Sequence, residues 1–339
     1  MRFVWGALSL VLTAFAVITV KPELVAADYA LQTPFAQMIA MRGWIVVGFA
    51  GIGVLFLVFG LLRFLIAGRG RIALTFSIAM LLVAGLHAGT MYSRGLTDDE
   101  AISPGNADGS IVLLQYNTMG GAVESSDIAQ AIVDNDVSVV TLPETSTESG
   151  QEIVEELASQ GLDFQQFDTG TSGYEADYRS TVMLVSSDLG QYTQEEIFSE
   201  SSSPQALKAS PVNGEGPALI AIHALSPGRD HMEAWQNEIS QAYSLCSSEP
   251  NAIIAGDFNS TKDHEAALGL SQTCTDAVSQ AGSGGVGTWP AKFNPLLSSP
   301  IDRVLTTAQF KGADAAFIDL GGSDHRGVLV RLDPEGSAA

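Results

Sequence analysis

The fold of this chain is read most directly from residues 252–259, Ala252-Ile253-Ile254-Ala255-Gly256-Asp257-Phe258-Asn259. The first four residues are all apolar, which predicts a strand buried on both faces of a sheet. Asp257 and Asn259 follow this strand directly, and sites in α/β sheets form at strand ends. Plain turn chemistry is the competing interpretation, because Asp and Asn also favour loops. The stretch therefore predicts an α/β domain and marks one position of a candidate site.

Short β-branched runs alternate with amphipathic helical segments on both sides of this stretch. This alternation predicts one α/β domain over residues 111–333, followed by a tail at 334–339. Helices are predicted at Ser126–Asp134, Glu148–Gln160 and Asp230–Cys246. Strands are predicted at Ile111–Tyr116, Val137–Leu142, Thr181–Ser186, Ala218–His223, Ala252–Ala255, Ile301–Leu305 and Gly327–Arg331.

Polar residues recur at the ends of these predicted strands. Each one alone can be a loop or capping residue. Six such places, with two histidines and several carboxylates among them, instead indicate one shared cleft. The residues are Asn117, Glu144, His223, Asp257, Asn259, Asp302, Asp324 and His325.

The order and spacing of these residues resemble the endonuclease/exonuclease/phosphatase superfamily. That superfamily includes DNase I, exonuclease III-type repair nucleases, neutral sphingomyelinases and inositol polyphosphate 5-phosphatases. The resemblance spans about residues 110–333. The segment Gly287-Thr288-Trp289-Pro290 also resembles a bacterial membrane-associated branch. The resemblance implies a DNase I-like α/β fold, a four-layer α/β/β/α sandwich. It is carried by Tyr116-Asn117, Leu142-Pro143-Glu144, His223, Gly256-Asp257-Phe258-Asn259, Ile301–Leu305 and Ser323-Asp324-His325.

The resemblance also implies a role for each residue. Glu144 resembles the principal metal ligand, with Asn117 beside it and Asp324 near the metal or the water. Mg²⁺ prefers such oxygen ligands, and Mn²⁺ fits as well. Asp257 resembles the carboxylate that orients or deprotonates the attacking water, and Asn259 the amide that holds a phosphate oxygen.

The two histidines have separate implied roles. His325 resembles the histidine that faces the scissile phosphate, and Asp302 the carboxylate that fixes its tautomer. His223 resembles a histidine that protonates the leaving oxygen.

Charge is distributed unevenly along the chain. The chain has 16 basic and 38 acidic residues. Residues 97–339 contain nine of the basic and 36 of the acidic ones, which gives this part a formal net charge of −27. So acidic a domain repels a phosphate backbone at long range, so tight binding of duplex nucleic acid is not expected. A small or lipid-linked phosphate ester is compatible with this charge.

Three apolar stretches precede the acidic region, at about residues 3–20, 44–62 and 72–91. Their length predicts three transmembrane helices within a membrane anchor over residues 1–92, and 93–110 reads as a linker. Alternatively, the first stretch is a cleaved signal peptide. Arg63, Arg69 and Arg71 surround the turn between the second and third stretches, which favours a cytoplasmic turn. The predicted protein is thus multi-pass in the cell membrane, with its catalytic domain extracytoplasmic.

The two cysteines, Cys246 and Cys274, flank the Gly256–Asn259 motif. Outside the cytoplasm such a pair can form a disulfide, and free buried thiols are the alternative. His231 and His264 follow predicted helix starts and are expected at the surface.

The sequence therefore predicts a membrane-anchored, metal-dependent hydrolase that acts on a phosphodiester or phosphomonoester. Its predicted partners are the lipid bilayer and a lipid-linked or small substrate. One alternative is an extracytoplasmic nuclease, and the other is a catalytically inactive binding module with the same fold. The sequence leaves the oligomeric state open.

Overall fold

The computed structural model describes residues 2–103, 108–171, 177–198, 205–270, 274–307 and 309–336. The chain divides into two compact units. One comprises Met1–Ser93 and Lys262–Gly269, and the other comprises Arg94–Thr261 and Leu270–Ala339. A short segment that directly follows the Gly256–Asn259 motif therefore belongs to the N-terminal unit.

The C-terminal unit contains two six-stranded sheets. The strands are β1 Ile111–Gln115, β2 Val139–Pro143, β3 Phe164–Asp168, β4 Thr181–Ser186, β5 Tyr192–Glu195, β6 Gln205–Pro211, β7 Ala218–His223, β8 Ala252–Asp257, β9 Thr275–Asp276, β10 Asp302–Thr306, β11 Phe310–Ile318 and β12 Gly327–Pro334. The order in the first sheet is β11-β12-β1-β2-β4-β3, and in the second β5-β6-β7-β8-β10-β9. The pairs β1–β2 and β7–β8 are parallel, and every other neighbouring pair among the described strands is antiparallel.

The main core lies between the two sheets. Leu113 and Val139 of the first sheet share one buried cluster with Ala221 and Ala255 of the second. This places the sheets face to face, as the alternation of side chains along each strand requires. Gly256 makes close packing within the second sheet possible, because a Cβ there would lie 1.8 Å from the carbonyl oxygen of Ile222.

Helices cover the outer face of the first sheet. The first sheet packs against α6 (Ser125–Asp134) and α7 (Thr147–Ser159), and this cluster includes Ile132 and Leu157. The C-terminal unit also contains α8 (Met232–Ser248), which buries Trp235 fully, and the short α10 (Ala277–Gln280). The predicted α/β class with two central sheets, the DNase I-like sandwich, is confirmed.

The N-terminal unit is helical. Two of its helices are long and apolar enough to cross a membrane, α4 (Arg42–Ala67) and α5 (Arg71–Ser93). The first predicted span forms the shorter apolar helix α1 (Arg2–Ile18). The other helices of this unit are α2 (Ala27–Ala30), α3 (Phe35–Ala40) and α9 (Lys262–Leu268).

A buried polar cluster lies inside the N-terminal unit. The Arg42 guanidinium donates to both carboxylate oxygens of Asp263 at 2.5 and 3.2 Å, and it contacts Nδ1 of His87 at 2.8 Å. Nε2 of His264 lies 2.9 Å from the carbonyl oxygen of Ala36. The prediction that His264 lies at the surface is wrong, because the residue is fully buried, whereas His231 is exposed.

The predicted linker belongs to the C-terminal unit from Arg94 onward, whereas Ser93 is the last residue of the N-terminal helix Arg71–Ser93. Thr97 donates its backbone N–H to Gly282 at 3.1 Å, and Asp99 accepts from the N–H of Phe317 at 2.8 Å. Residues 104–107 of the linker and 337–339 of the tail lie outside the described residues.

Candidate active site

The polar residues predicted at strand ends meet at one edge of the two sheets. β1 and β2 are parallel, so Asn117 and Glu144 both follow carboxyl ends that lie side by side. In the second sheet His223 is paired with Asp257, and Asp257 is also paired with Asp302. Because the sheets face each other, their edges form one cleft.

The innermost part of the site is a buried Asp–His pair. Oδ2 of Asp302 lies 2.8 Å from Nδ1 of His325, and both residues are at most 5% exposed. Gln115 donates to the other carboxylate oxygen of Asp302 at 3.1 Å and accepts from the Thr141 hydroxyl at 2.5 Å. This arrangement holds the imidazole with Nδ1 toward Asp302 and Nε2 toward the other carboxylates, Asp257 at 3.8 Å and Asp324 at 3.9 Å.

Asn117 joins two carboxylates of the site. Its amide nitrogen donates to Glu144 at 3.0 Å and to Asp257 at 3.2 Å. The backbone of Glu144 has a φ of 56°, a left-handed conformation that costs an L-residue roughly 1–2 kcal/mol. Its carbonyl oxygen accepts from the Thr118 hydroxyl and the N–H of Gly121, at 2.8 and 2.9 Å. Neighbouring groups thus hold the strained backbone that places this carboxylate in the cleft.

Asn259, like Glu144, has a left-handed backbone conformation that neighbouring hydrogen bonds hold in place. Its backbone φ is 47°, its carbonyl accepts from the Trp235 indole at 3.0 Å, and its amide donates to Ala224 at 2.9 Å and to Asp257 at 3.2 Å. The backbone N–H of Asn259 also donates to Asp257, at 2.8 Å. Asn259 therefore positions Asp257. For Asn259 to contact a phosphate oxygen as predicted, its side-chain amide must give up one of these two hydrogen bonds, to Ala224 or to Asp257.

His223 and Asp324 complete the cleft. Nε2 of His223 lies 3.6 Å from Glu144, and its buried Nδ1 has no hydrogen-bond partner among the described residues. Asp324 accepts from the indole N–H of Trp289 at 2.8 Å. All eight predicted site residues therefore lie at this edge of the sheets.

Burial and neighbouring charges change the ionisation of the two histidines in opposite directions. Burial lowers the pKa of His325, but the charge and hydrogen bond of Asp302, together with Asp257 and Asp324, overcome it and raise the pKa to about 10. Burial, and then the charge of His325, lower the pKa of His223 to about 4. At pH 7 His325 is thus an imidazolium, whereas His223 is neutral and offers a hydrogen-bonding N–H rather than an acidic proton.

The carboxylates respond mainly to burial. Burial, followed by the charge of Asp302, raises the pKa of Asp257, while His325 lowers it. Burial also raises the pKa of Glu144, against the hydrogen bond from Asn117. A carboxylate with a raised pKa is a better proton acceptor near neutral pH.

The donor set fits a divalent cation with oxygen ligands. Asp257, Asp302 and His325 bring ligand atoms within 4.8 Å of one another. Both oxygens of Asp302 are already hydrogen-bonded, to Gln115 and His325, so Asp302 is better suited to orient the ring than to bind an ion. The remaining carboxylates, with one imidazolium facing them, carry excess negative charge that a hard cation would neutralise.

A family model described as Endonuclease/Exonuclease/phosphatase family matches residues 114–325. The chain belongs to this family. Family members hydrolyse phosphoester bonds and depend on divalent metal ions. The resemblance predicted from the strand-end residues is therefore confirmed, while no curated protein sequence matches the chain.

Solved structures share the fold at low sequence identity. Humanized D. rerio TDP2 is 19% identical with a TM-score of 0.54, over 66% of this chain and 99% of that chain. The family protein from Bacteroides vulgatus is 14% identical with a TM-score of 0.50, over 67% of this chain and 100% of the other. The protein from Beutenbergia cavernae is 16% identical with a TM-score of 0.50, over 67% and 72%.

The sequence did not predict the side chains that support the site residues. Gln115, Thr141 and Trp289 each hydrogen-bond to a predicted site residue or to one of its partners. A supporting role could have been predicted for Gln115, because it is a polar residue on the same face of the strand as the core residue Leu113. A buried polar side chain in a strand needs a partner, and here that partner is catalytic.

The two cysteines are bonded to each other in the structure. Cys246 ends α8 and Cys274 precedes β9, and their Cα atoms lie 5.1 Å apart. The bond connects two segments of the chain that flank the Asp257–Asn259 turn.

Proposed function

We propose that this protein is a membrane-anchored, Mg²⁺- or Mn²⁺-dependent phosphoesterase that hydrolyses a lipid-linked or small phosphate ester outside the cytoplasm. The observation that carries the proposal is the convergence of Glu144, Asp257 and the Asp302–His325 pair at one strand-end edge. The apolar helices α4 and α5 support anchoring, and Arg63, Arg69 and Arg71 beside their connection support the orientation.

The side chains divide the chemistry among them. Glu144, Asn117 and Asp324 would hold the cation, which, when bound, supplies positive charge to the phosphoryl oxygens. Asp257, with its raised pKa, accepts a proton from the attacking water. The His325 imidazolium, oriented by Asp302, stabilises negative charge that develops on the phosphate.

His223 and Asn259 have positioning roles in this scheme. The neutral His223 donates a hydrogen bond toward the leaving oxygen from beside Glu144, and as the P–O bond breaks that oxygen takes its proton from solvent water. Asn259 fixes Asp257 through its backbone and side-chain N–H groups. Together these contacts keep the base aligned without a large rearrangement.

A nuclease is the second candidate. It is favoured by the fold likeness to D. rerio TDP2 complexed with single strand DNA product, at 18% identity and a TM-score of 0.53. The net charge of −27 over residues 97–339 opposes tight binding of a polyanion. An inactive binding module is disfavoured, because the polar set has no missing member.

The test uses the full chain purified in detergent. We expect hydrolysis of bis-p-nitrophenyl phosphate with Mg²⁺ or Mn²⁺, loss of activity with EDTA, and recovery on adding the metal back. Glu144→Gln should raise the metal concentration for half-maximal rate by about tenfold or more. Glu148→Gln, an exposed carboxylate in α7, serves as the matched control.

Three outcomes would count against the proposal. A folded protein inert toward a broad panel of phosphoesters would remove the enzymatic function. Plasmid nicking that is faster than headgroup release from lipids would favour the nuclease. A reporter fused after Ala339 that is active only in the cytoplasm would overturn the orientation.

A further inference from the structure

Exposed apolar side chains in the C-terminal unit are concentrated around the active site. Among its described residues, the six most exposed large apolar side chains are 36% to 65% exposed. Five of them are 36% to 47% exposed and lie on loops that carry or adjoin site residues. These five, here called the apolar rim, are Met119, Tyr178, Leu225, Phe293 and Leu296.

Met119 and Leu225 belong to the two loops that leave the carboxyl ends of β1 and β7. Met119 lies two residues beyond Asn117 and donates its backbone N–H to that side chain at 2.9 Å. Leu225 lies two residues beyond His223, and the preceding residue, Ala224, accepts a hydrogen bond from Asn259. Both side chains therefore stand next to groups that line the cleft.

Tyr178 and the pair Phe293–Leu296 reach the same edge from other loops. Tyr178 precedes β4, whose first residue pairs with the last residue of β2, directly before Glu144. A Cβ on Gly120 would lie 2.6 Å from the tyrosine ring, so the ring touches the loop that also holds Met119. Phe293 and Leu296 lie in the loop that bonds to Asp324 through the N–H of Ala291, at 2.7 Å.

Val212 is the sixth exposed apolar residue, and it lies at the opposite end of the second sheet. It follows β6, which runs antiparallel to β7, with Gln205 paired to His223 and Ala209 to Leu219. The end of β6 is therefore remote from the catalytic edge, and Val212 offers an internal control for exposure alone.

Exposed positive charge is found on the same loops. Arg179 follows Tyr178, Arg229 lies in the loop that begins after His223, and the Lys292 ammonium lies 5.3 Å from the centre of the Phe293 ring. None of the ion pairs among the described residues involves these three. By contrast, Lys208, Arg303, Arg326 and Arg331 are paired with carboxylates, and Lys311 is only partly exposed, within β11. Cations and apolar groups thus coincide at one place on a strongly acidic domain.

We propose that the apolar rim binds the surface of a bilayer that contains anionic phospholipid, and that the substrate is a phospholipid whose headgroup phosphoester enters the cleft. Apolar side chains interleaved with cations are the chemistry that recognises such a surface. The aromatic and aliphatic groups enter the acyl boundary, and Arg179, Arg229 and Lys292 contact lipid phosphates. The inference rests on the proposed phosphoesterase function and adds to it the physical form of the substrate.

The first test compares a lipid with a soluble substrate in one preparation. The full chain in mixed micelles is assayed on phosphatidylglycerol at varied mole fraction and on bis-p-nitrophenyl phosphate. We expect Phe293→Ser/Leu296→Ser to lower the ratio of lipid to soluble activity about tenfold, through a higher mole-fraction KM rather than a lower kcat. Val212→Ser should leave the ratio unchanged. An unchanged ratio in the rim variant overturns the proposal, as does a selective loss of activity on single-stranded DNA.

A second measurement needs no turnover and therefore separates failure of the rim from failure of the enzyme. Phe293→Cys and Val212→Cys each receive an environment-sensitive label, since the native cysteines are bonded to each other. In full-length protein reconstituted into phosphatidylglycerol-containing vesicles, lipid-borne quenchers should quench the label at 293 at least about twice as strongly as that at 212. Equal quenching would refute rim binding whether or not the protein hydrolyses phosphoesters.

Discussion

Asp302→Asn removes the negative charge that faces the buried ring of His325. The substitution is nearly isosteric, and the amide oxygen can still accept from Nδ1–H. The new amide NH₂ then faces Gln115, whose side-chain amide must turn over to present its oxygen, and the Thr141 hydroxyl then accepts from the Gln115 NH₂. In the wild-type structure these contacts measure 2.8 Å to His325 and 3.1 Å to Gln115. The variant therefore tests the charge of Asp302 separately from its shape.

The expected change in the pKa of His325 follows from how far the folded protein raises it. Its pKa is raised from 6.5 to about 10, a difference of 3.5 that corresponds to roughly 5 kcal/mol in favour of the imidazolium. Burial alone would lower this pKa, and Asp302 contributes the largest opposing effect. We expect the pKa in Asp302→Asn to fall by at least about two pH units, so that much of His325 loses its charge near pH 8.

The same shift predicts how stability depends on pH. A folded-state pKa raised above the unfolded value stabilises the fold fully below about pH 6.5, and this contribution is lost as pH rises through about 10. Wild-type protein should therefore lose stability across that window, and Asp302→Asn should lose much less. The catalytic rate of the variant at pH 7.5 should fall by roughly 10²- to 10⁴-fold.

The assay is a histidine titration by NMR in metal-free, detergent-solubilised full-length protein. The chain has five histidines, so selective ¹⁵N labelling gives few ring signals, and His325→Gln assigns the relevant one. Asp134→Asn, which alters an exposed carboxylate of α6, is the control. If His325 in Asp302→Asn titrates within about one pH unit of the wild type, Asp302 is not the source of the raised pKa and the reasoning fails.

Two further predictions concern supporting contacts. Gln115→Met leaves one oxygen of Asp302 without its donor, so kcat should fall roughly tenfold and the His325 titration should shift, since a structural role alone would leave that titration in place. An unaltered titration would limit Gln115 to packing. Reduction of the Cys246–Cys274 bond opens a loop of 28 residues and should lower the free energy of unfolding by about 3–4 kcal/mol. Denaturation with and without reductant measures this loss, and Cys246→Ser/Cys274→Ser should match the reduced protein; coincident transitions would show that the bond adds nothing.

Most of the sheet could be predicted from the sequence, but not all of it. Thr181–Ser186 and Ala218–His223 have the predicted bounds, because their apolar runs are buried on both faces. Tyr192–Glu195, Gln205–Pro211 and Phe310–Ile318 were not predicted as strands. These strands lie at or near sheet edges and carry polar residues, so partner strands rather than their own composition make them extended.

The candidate site also contains residues that the sequence predicted and contacts that it did not. Glu144, Asp257 and His325 were predicted from a set of polar residues beside strands together with the family resemblance, because the chain itself places a polar residue where an apolar run begins or stops. Gln115, as a polar residue on the core face of a strand, could be expected to need a partner, but no local pattern specifies which side chain Gln115 or Trp289 contacts.

The sequence by itself determined the alternation of strands and helices, the apolar helices at the N-terminus and the polar residues at strand ends, because each depends on neighbours within a few positions. Only the tertiary structure decided the contacts between distant residues. Asp302 meets Gln115 across 187 positions, and His264 is buried against Ala36 across 228. The periodicity of the sequence specifies on which face of a helix or strand a side chain lies. The partner and the pKa of that side chain depend on which other element the completed fold packs against this face.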